Sequence, residues 1–176
     1  MQRPRGFPGS SLPIVAAVTY GRVMAEYQQM ESVDKTILLV EDNPDDVDLT
    51  LRALRKHNVV NQVIVVRDGA EALDCLLGTG EYQGRQVRPE VVLLDLKLPK
   101  IDGLEVLKRM RENESTKLLP VVILTSSSED EDRLQGYSYG ANSYVRKPVD
   151  FVQFTEAIRQ LHLYWLVLNV GPPSTG

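Results

Sequence analysis

The sequence predicts a doubly wound α/β domain built on five parallel strands, and three observations carry that prediction. From Thr36 onward, short runs of apolar and β-branched residues alternate with helical patterns in units of about 20 to 30 residues. Three of the runs are apolar at nearly every position, as strands covered on both faces by helices are. The intervening segments carry recognisable helix-start and helix-stop residues.

In chain order, the strand runs are Thr36-Ile-Leu-Leu-Val40, Val63-Ile-Val-Val66, Val91-Val-Leu-Leu94, Val121-Val-Ile-Leu-Thr125 and Ser143-Tyr-Val-Arg146. The last is less apolar and reads as an edge strand. The first helix opens at Asn43-Pro44, an N-cap followed by a proline whose missing N–H costs nothing there, with Asp45 and Asp46 at the positive end of the helix dipole. Val47, Leu51 and Leu54 form its apolar stripe. Ala70 to Leu77 make a short second helix closed by Gly78, and Gly103 to Arg111 carry Leu104, Leu107 and Met110 at spacings of three. Ser128-Glu-Asp-Glu131 has capping-box spacing for a fourth helix. A fifth starts at Asp150 and sets Phe151, Phe154, Ile158, Leu161, Trp165 and Leu168 on one stripe, with Leu163, Tyr164, Leu166 and Val167 on other faces. Residues 78–89 form a long loop before the third strand.

Composition bounds the function classes. The 176 residues fit one domain. Net charge is −4 and the basic residues are scattered, which argues against a nucleic-acid surface. A single cysteine, Cys75, allows no internal disulfide and reads as a small core residue of a reduced, cytoplasmic protein. No apolar run approaches the roughly 18 residues that span a bilayer, so no membrane role is expected. Residues 1–33 read as a flexible leader whose patch Leu12 to Val18 is interrupted by Pro13, with Met24 or Met30 as alternative starts. Residues 34–168 are the expected domain, and 169–176 a flexible tail.

Open sheets of this kind bind ligands beyond the carboxyl ends of the strands where the strand order reverses. For the flavodoxin-like order 2-1-3-4-5 that place lies between strands one and three. Strand one ends in Glu41-Asp42 and strand three in Asp95, so three carboxylates converge and need a cation. Mg2+ fits best: it takes few carboxylates, keeps waters and coordinates phosphate oxygens. Strand four contributes the Thr125 hydroxyl and strand five is followed by Lys147, which together suit the stabilisation of a transferred phosphoryl group on Asp95. Singly, each is an ordinary strand-end or loop residue; the joint placement points to function. Asp45, Asp46, Asp68 and Asp102 read as first-turn charges or caps, and His57 and His162 as helical residues with no metal-spaced partner.

Leu38-Leu-Val-Glu-Asp-Asn43, Leu93-Leu-Asp-Leu-Lys-Leu-Pro99 with Asp102-Gly103, Val122-Ile-Leu-Thr-Ser126 and Tyr144-Val-Arg-Lys-Pro148 resemble, in order and spacing, the receiver domain of two-component response regulators, the CheY-like family. The resemblance covers about residues 35–168. It implies Asp95 as phosphoacceptor, Glu41 and Asp42 as the acidic pair with Asp42 the more direct Mg2+ ligand, and the Lys97 backbone carbonyl as a further ligand. It further implies Thr125 and Lys147 as binders of phosphoryl oxygens and a cis peptide at Lys147-Pro148. Ser126 would leave the phosphoryl group accessible, Tyr144 would be the aromatic switch, and Lys97 and Ser127 would influence phosphoryl lifetime.

The long loop, the Leu-Asp-Leu-Lys-Leu-Pro wording and the ending Leu163-Tyr-Trp-Leu-Val-Leu168 resemble in particular the stand-alone regulators that accompany phytochrome kinases. A sensor histidine kinase, here a bacteriophytochrome, is then the implied donor. With too few residues left for an output domain, the chain would signal by binding and catalyse only its own phosphoryl transfer and autodephosphorylation. The excess apolar groups around the fifth helix predict a homodimer through helices four and five, strand five and the C-terminal segment. A nucleotide switch lacks its Gly-rich loop, a flavin carrier would have its phosphate repelled by Glu41 and Asp42, and a haloacid-dehalogenase-type phosphatase needs an acid where Lys97 stands. A receiver-like scaffold that is not phosphorylated remains the alternative.

Overall fold

The computed structural model describes residues 35–56, 62–147 and 150–171. The expected leader, His57, the Lys147–Pro148 bond with its expected isomer, and residues 172–176 lie outside the described residues. The strands β1 (Thr36–Val40), β2 (Gln62–Val66), β3 (Val91–Leu94), β4 (Val121–Thr125) and β5 (Ser143–Arg146) form one parallel sheet in the order β2-β1-β3-β4-β5. The helices are α1 (Pro44–Lys56), α2 (Gly69–Leu77), α3 (Gly103–Glu112), α4 (Asp130–Ser138) and α5 (Phe151–His162). This is the doubly wound order the sequence predicts.

The near-continuous apolar strands are explained by two buried clusters. Leu38, Val40, Val92, Leu94, Val121 and Ile123 pack with α2 and α3, whereas Ile37, Leu39, Val91, Leu93, Val122 and Leu124 pack with α1 and α5. Alternate residues of each strand thus enter different cores, so neither face tolerates a polar residue. Each fully buried Leu or Ile contributes roughly 1.5 to 3 kcal/mol relative to exposure.

The helix starts follow the capping residues. Asn43 Oδ1 accepts from Asp45 N at 2.9 Å, Asp68 from Glu71 N at 2.8 Å, Asp102 from Glu105 N at 3.1 Å and Asp150 from Gln153 N at 2.9 Å. Gly78 closes α2 at φ 69°. The fourth helix departs from expectation: Ser128 does not cap it, and α4 begins at Asp130 after Glu129, which makes no side-chain cap bond. The hydroxyl one residue earlier takes over, since Ser127 Oγ accepts from Glu129 N and donates to Asp132 Oδ2 at 2.6 Å.

A second correction concerns the C-terminal stripe. After His162 the chain widens into a π-helical segment, Leu163–Leu168, in which Asn169 N donates to Tyr164 O, five residues back. The wider turn shifts the seam, so Leu166, expected on another face, is the buried residue at 2 % exposure, while Leu168 is 64 % exposed.

Candidate functional site

The sheet register brings the site together. Val40 lies level with Val66 on one side and Leu94 on the other. The ladder then runs one residue past the strand ends: Glu41 N donates to Val66 O, Asp95 N to Val40 O and Lys147 N to Thr125 O, at 3.0, 3.0 and 2.8 Å. Glu41, Asp95 and Lys147 are therefore fixed by backbone hydrogen bonds at one edge of the sheet. Behind Asp95 the chain must turn sharply into α3, and Gly103 permits it: a Cβ there would sit 2.2 Å from the Asp95 carbonyl oxygen.

Glu41, Asp42 and Asp95 present carboxylate oxygens that lie within 4.8 Å of one another. Glu41 and Asp95 are buried and Asp42 is exposed. Asp95 is 6 % exposed, and its Oδ1 has no hydrogen-bond partner among the described residues. A buried carboxylate oxygen without a hydrogen bond, beside two more acids, is a donor set for a hard divalent cation. The Lys97 carbonyl, two residues beyond Asp95, accepts no hydrogen bond among the described residues, whereas Leu96 O accepts from both Leu98 N and Gly103 N.

Lys147 supplies the positive charge. Its side chain is 9 % exposed, and Nζ donates to Glu41 Oε2 and, at 2.7 Å, to Asp46 Oδ2, while Asp95 Oδ1 stands 3.8 Å away. Burial alone would lower the ammonium pKa, but Asp46, Glu41 and Asp95 outweigh it and hold the pKa above its usual value. For Glu41 the balance falls the other way: burial raises its pKa more than the Lys147 hydrogen bond lowers it.

On the neighbouring strand Thr125 is fully buried, and its Oγ1 accepts from Ser127 N at 3.2 Å, which leaves its own O–H to donate elsewhere. Ser126 is exposed, so access from solvent is open there. The Tyr144 ring stands inward beside Gly136, where an added Cβ would lie 3.5 Å from it, and its hydroxyl is buried with no partner among the described residues. Desolvation, with Asp132 nearby, raises the pKa of that phenol.

Every acid, hydroxyl and amine expected at the strand ends is present at this edge. Asp68 and Asp102 are caps, as expected, and His162 is half-buried on α5. Asp46 is the residue the sequence reading undervalues. It reads as a first-turn charge, yet it binds Lys147, 101 positions away. Its place in the first turn of α1, directly after the strand end that carries Glu41 and Asp42, is the signal the sequence holds.

Comparison with known proteins agrees with this geometry. Residues 37–159 match the family model described as response regulator receiver domain. The chain is 41 % identical over 136 residues to the probable methanogenesis regulatory protein FilR2 of Methanothrix harundinacea, covering 77 % of this chain and 86 % of that protein. It is 36 % identical over 132 residues to the response regulator Rcp1 of Synechocystis, covering 75 % and 89 %. A Mn(2+)-bound structure of Rcp1 superposes with a TM-score of 0.73 at 35 % identity, over 79 % of this chain and 99 % of that one. The phosphorylated cyanobacterial phytochrome response regulator RcpA gives 0.75 at 37 % identity, over 80 % and 99 %. The bacteriophytochrome response regulator RtBRR gives 0.64 at 52 % identity, over 80 % and 85 %. A five-stranded sheet of this order, with its acids gathered at the β1 and β3 ends, places the chain in the receiver-domain family of two-component response regulators.

Proposed function

We propose that Asp95 accepts a phosphoryl group from the phosphohistidine of a sensor histidine kinase, with Mg2+ held by Glu41, Asp42, Asp95 and the Lys97 carbonyl. The observation that carries this reading is the buried Asp95 Oδ1, without a hydrogen-bond partner among the described residues, within the acidic triad. An Asp95 oxygen attacks phosphorus, and a P–O bond forms as the P–N bond breaks and the imidazole leaves with the electron pair. Bound Mg2+ would neutralise negative charge on the phosphoryl oxygens. Lys147, already within 3.8 Å of Asp95, supplies a second positive charge, and the Thr125 hydroxyl donates to a phosphoryl oxygen. Exposed Ser126 leaves the group open to water, whose attack returns phosphate and free Asp95, so the chain promotes only its own phosphoryl transfer and hydrolysis.

Drawing Thr125 toward the phosphoryl group pulls on the β4–α4 segment and so on α4, beside whose Gly136 the Tyr144 ring stands. The signal then reaches the surface formed by α4, β5 and α5. That surface carries exposed Leu134 and Tyr137, and the C-terminal segment after α5 carries exposed Leu163 and Tyr164, which supports homodimerisation through both. Similarity to the cyanobacterial phytochrome response regulator RcpA and to the bacteriophytochrome response regulator RtBRR supports a bacteriophytochrome as the kinase. No helix among the described residues is long and apolar enough to cross a membrane. We further take residues 34–168 as a cytoplasmic receiver domain, 1–33 as a leader and 169–176 as a tail.

The test is intact-mass analysis after incubation with Mg2+ and acetyl phosphate. Wild type should gain one phosphoryl group and Asp95→Asn none; equal labelling of both would refute the assignment, and labelling of neither would favour an unphosphorylated scaffold. Light scattering at tens of micromolar should report a dimer or a shift toward one on phosphorylation; a monomer in both states removes the dimer.

A further inference from the structure

We propose that Asp46 is the positioning residue for Lys147, holding its ammonium toward α1 so that Glu41 and Asp95 are free to turn their oxygens to a divalent cation. The proposal rests on the reading of the acidic triad as a metal site.

An ammonium has three donors, and here hydrogen bonds go to Glu41 and Asp46, with Asp95 beyond hydrogen-bond range at 3.8 Å. Glu41 is in demand from both sides. Its Oε1 accepts from Asn43 N at 3.2 Å and its Oε2 from Lys147, yet it also belongs to the acidic triad. When Glu41 turns to a cation, Asp46 is the hydrogen-bonded carboxylate left to Lys147.

Asp46 is built for that duty. It lies outside the triad, in the first turn of α1 where the helix dipole favours an acid, and its carbonyl accepts the hydroxyl of buried Thr50 at 2.8 Å. Without it, the ammonium of a side chain only 9 % exposed would seek charge compensation from Glu41 and Asp95, the oxygens a cation needs. Lys147 would then compete with the metal instead of standing beside it.

Asp45 provides the control. It is exposed, carries the same charge and adjoins Asp46, but Lys147 donates to Asp46. The experiment is calorimetric titration of the full chain with Mn2+ and with Mg2+, each variant checked for its thermal melt. Asp46→Asn should weaken metal binding about tenfold, as loss of a partner that orients a metal site does, and Asp45→Asn less than twofold. Asp46→Glu should recover most of the loss. In a Lys147→Met background, Asp46→Asn and Asp45→Asn should become equivalent, because the competitor is gone.

If Asp46→Asn fails to melt cooperatively, Asp46→Glu and the Lys147→Met pair carry the comparison alone. Equal effects of Asp46→Asn and Asp45→Asn with Lys147 present would overturn the role of Asp46 while leaving the metal site standing. A wild type that binds neither ion would remove both.

Discussion

Helices α3 and α4 have nearly the same length, 10 and 9 residues, and follow strands that pair side by side, yet the fold treats them differently. Helix α3 buries Val106, Leu107 and Met110 in one continuous core and is capped by Asp102. Helix α4 buries only Gly136, has no side-chain cap from its N-cap residue, and leaves Leu134 72 % exposed. The helix behind Asp95 is anchored and the helix after Thr125 is lightly held. An element with few buried apolar contacts opens at low free-energy cost, which suits a segment that must respond to events at the site.

Five experiments bear on that contrast, from the largest expected effect to the smallest. Cys75 lies in the same core cluster as α3, and burial pushes its thiol up to about 11. Alkylation at pH 8 should therefore run at least about 1,000-fold slower in the native chain than in the urea-denatured one. Comparable rates would mean that the α2–α3 side opens as easily as α4. Next, Leu107→Ala should cost about 2 to 5 kcal/mol in urea unfolding, whereas Leu134→Ala should stay within about 0.5 kcal/mol. Near-equal losses would erase the distinction.

Removing the α3 cap by Asp102→Ala should cost about 1 kcal/mol. Ser127→Ala, which unties the first turn of α4, should speed amide exchange in α4 and leave exchange in α3 unchanged. Uniform acceleration across both helices would show them to be one unit. Smallest is Tyr144→Phe. Its hydroxyl is buried without a hydrogen-bond partner among the described residues, so deletion should be neutral or stabilise by up to about 1 kcal/mol, and a loss of stability would mean that the hydroxyl is bonded in solution.

The parts legible in the sequence were those governed by local rules. Strand positions followed from apolar runs, and four of the helix starts from Asn43, Asp68, Asp102 and Asp150, because capping depends on residues within one turn. The same local logic misled at α4, where Ser128-Glu-Asp-Glu131 has capping-box spacing but Ser127 makes the bonds to Glu129 and Asp132. It misled again after His162, since a helical stripe assumes 3.6 residues per turn and a π-helical segment moves Leu166 inward.

What the sequence by itself determined is the identity of the strand-end groups: Glu41, Asp42, Asp95, Thr125 and Lys147 had to meet once five parallel strands were wound in this order. What only the tertiary structure decided is how those groups divide their attention. Lys147 leans on Glu41 and Asp46 and stands off from Asp95, and Tyr144 hides a hydroxyl with no hydrogen-bond partner among the described residues. Charge compensation in a desolvated site is settled by distances of a few ångströms between residues about 100 positions apart in the chain, and periodicity and capping patterns carry no information on that scale.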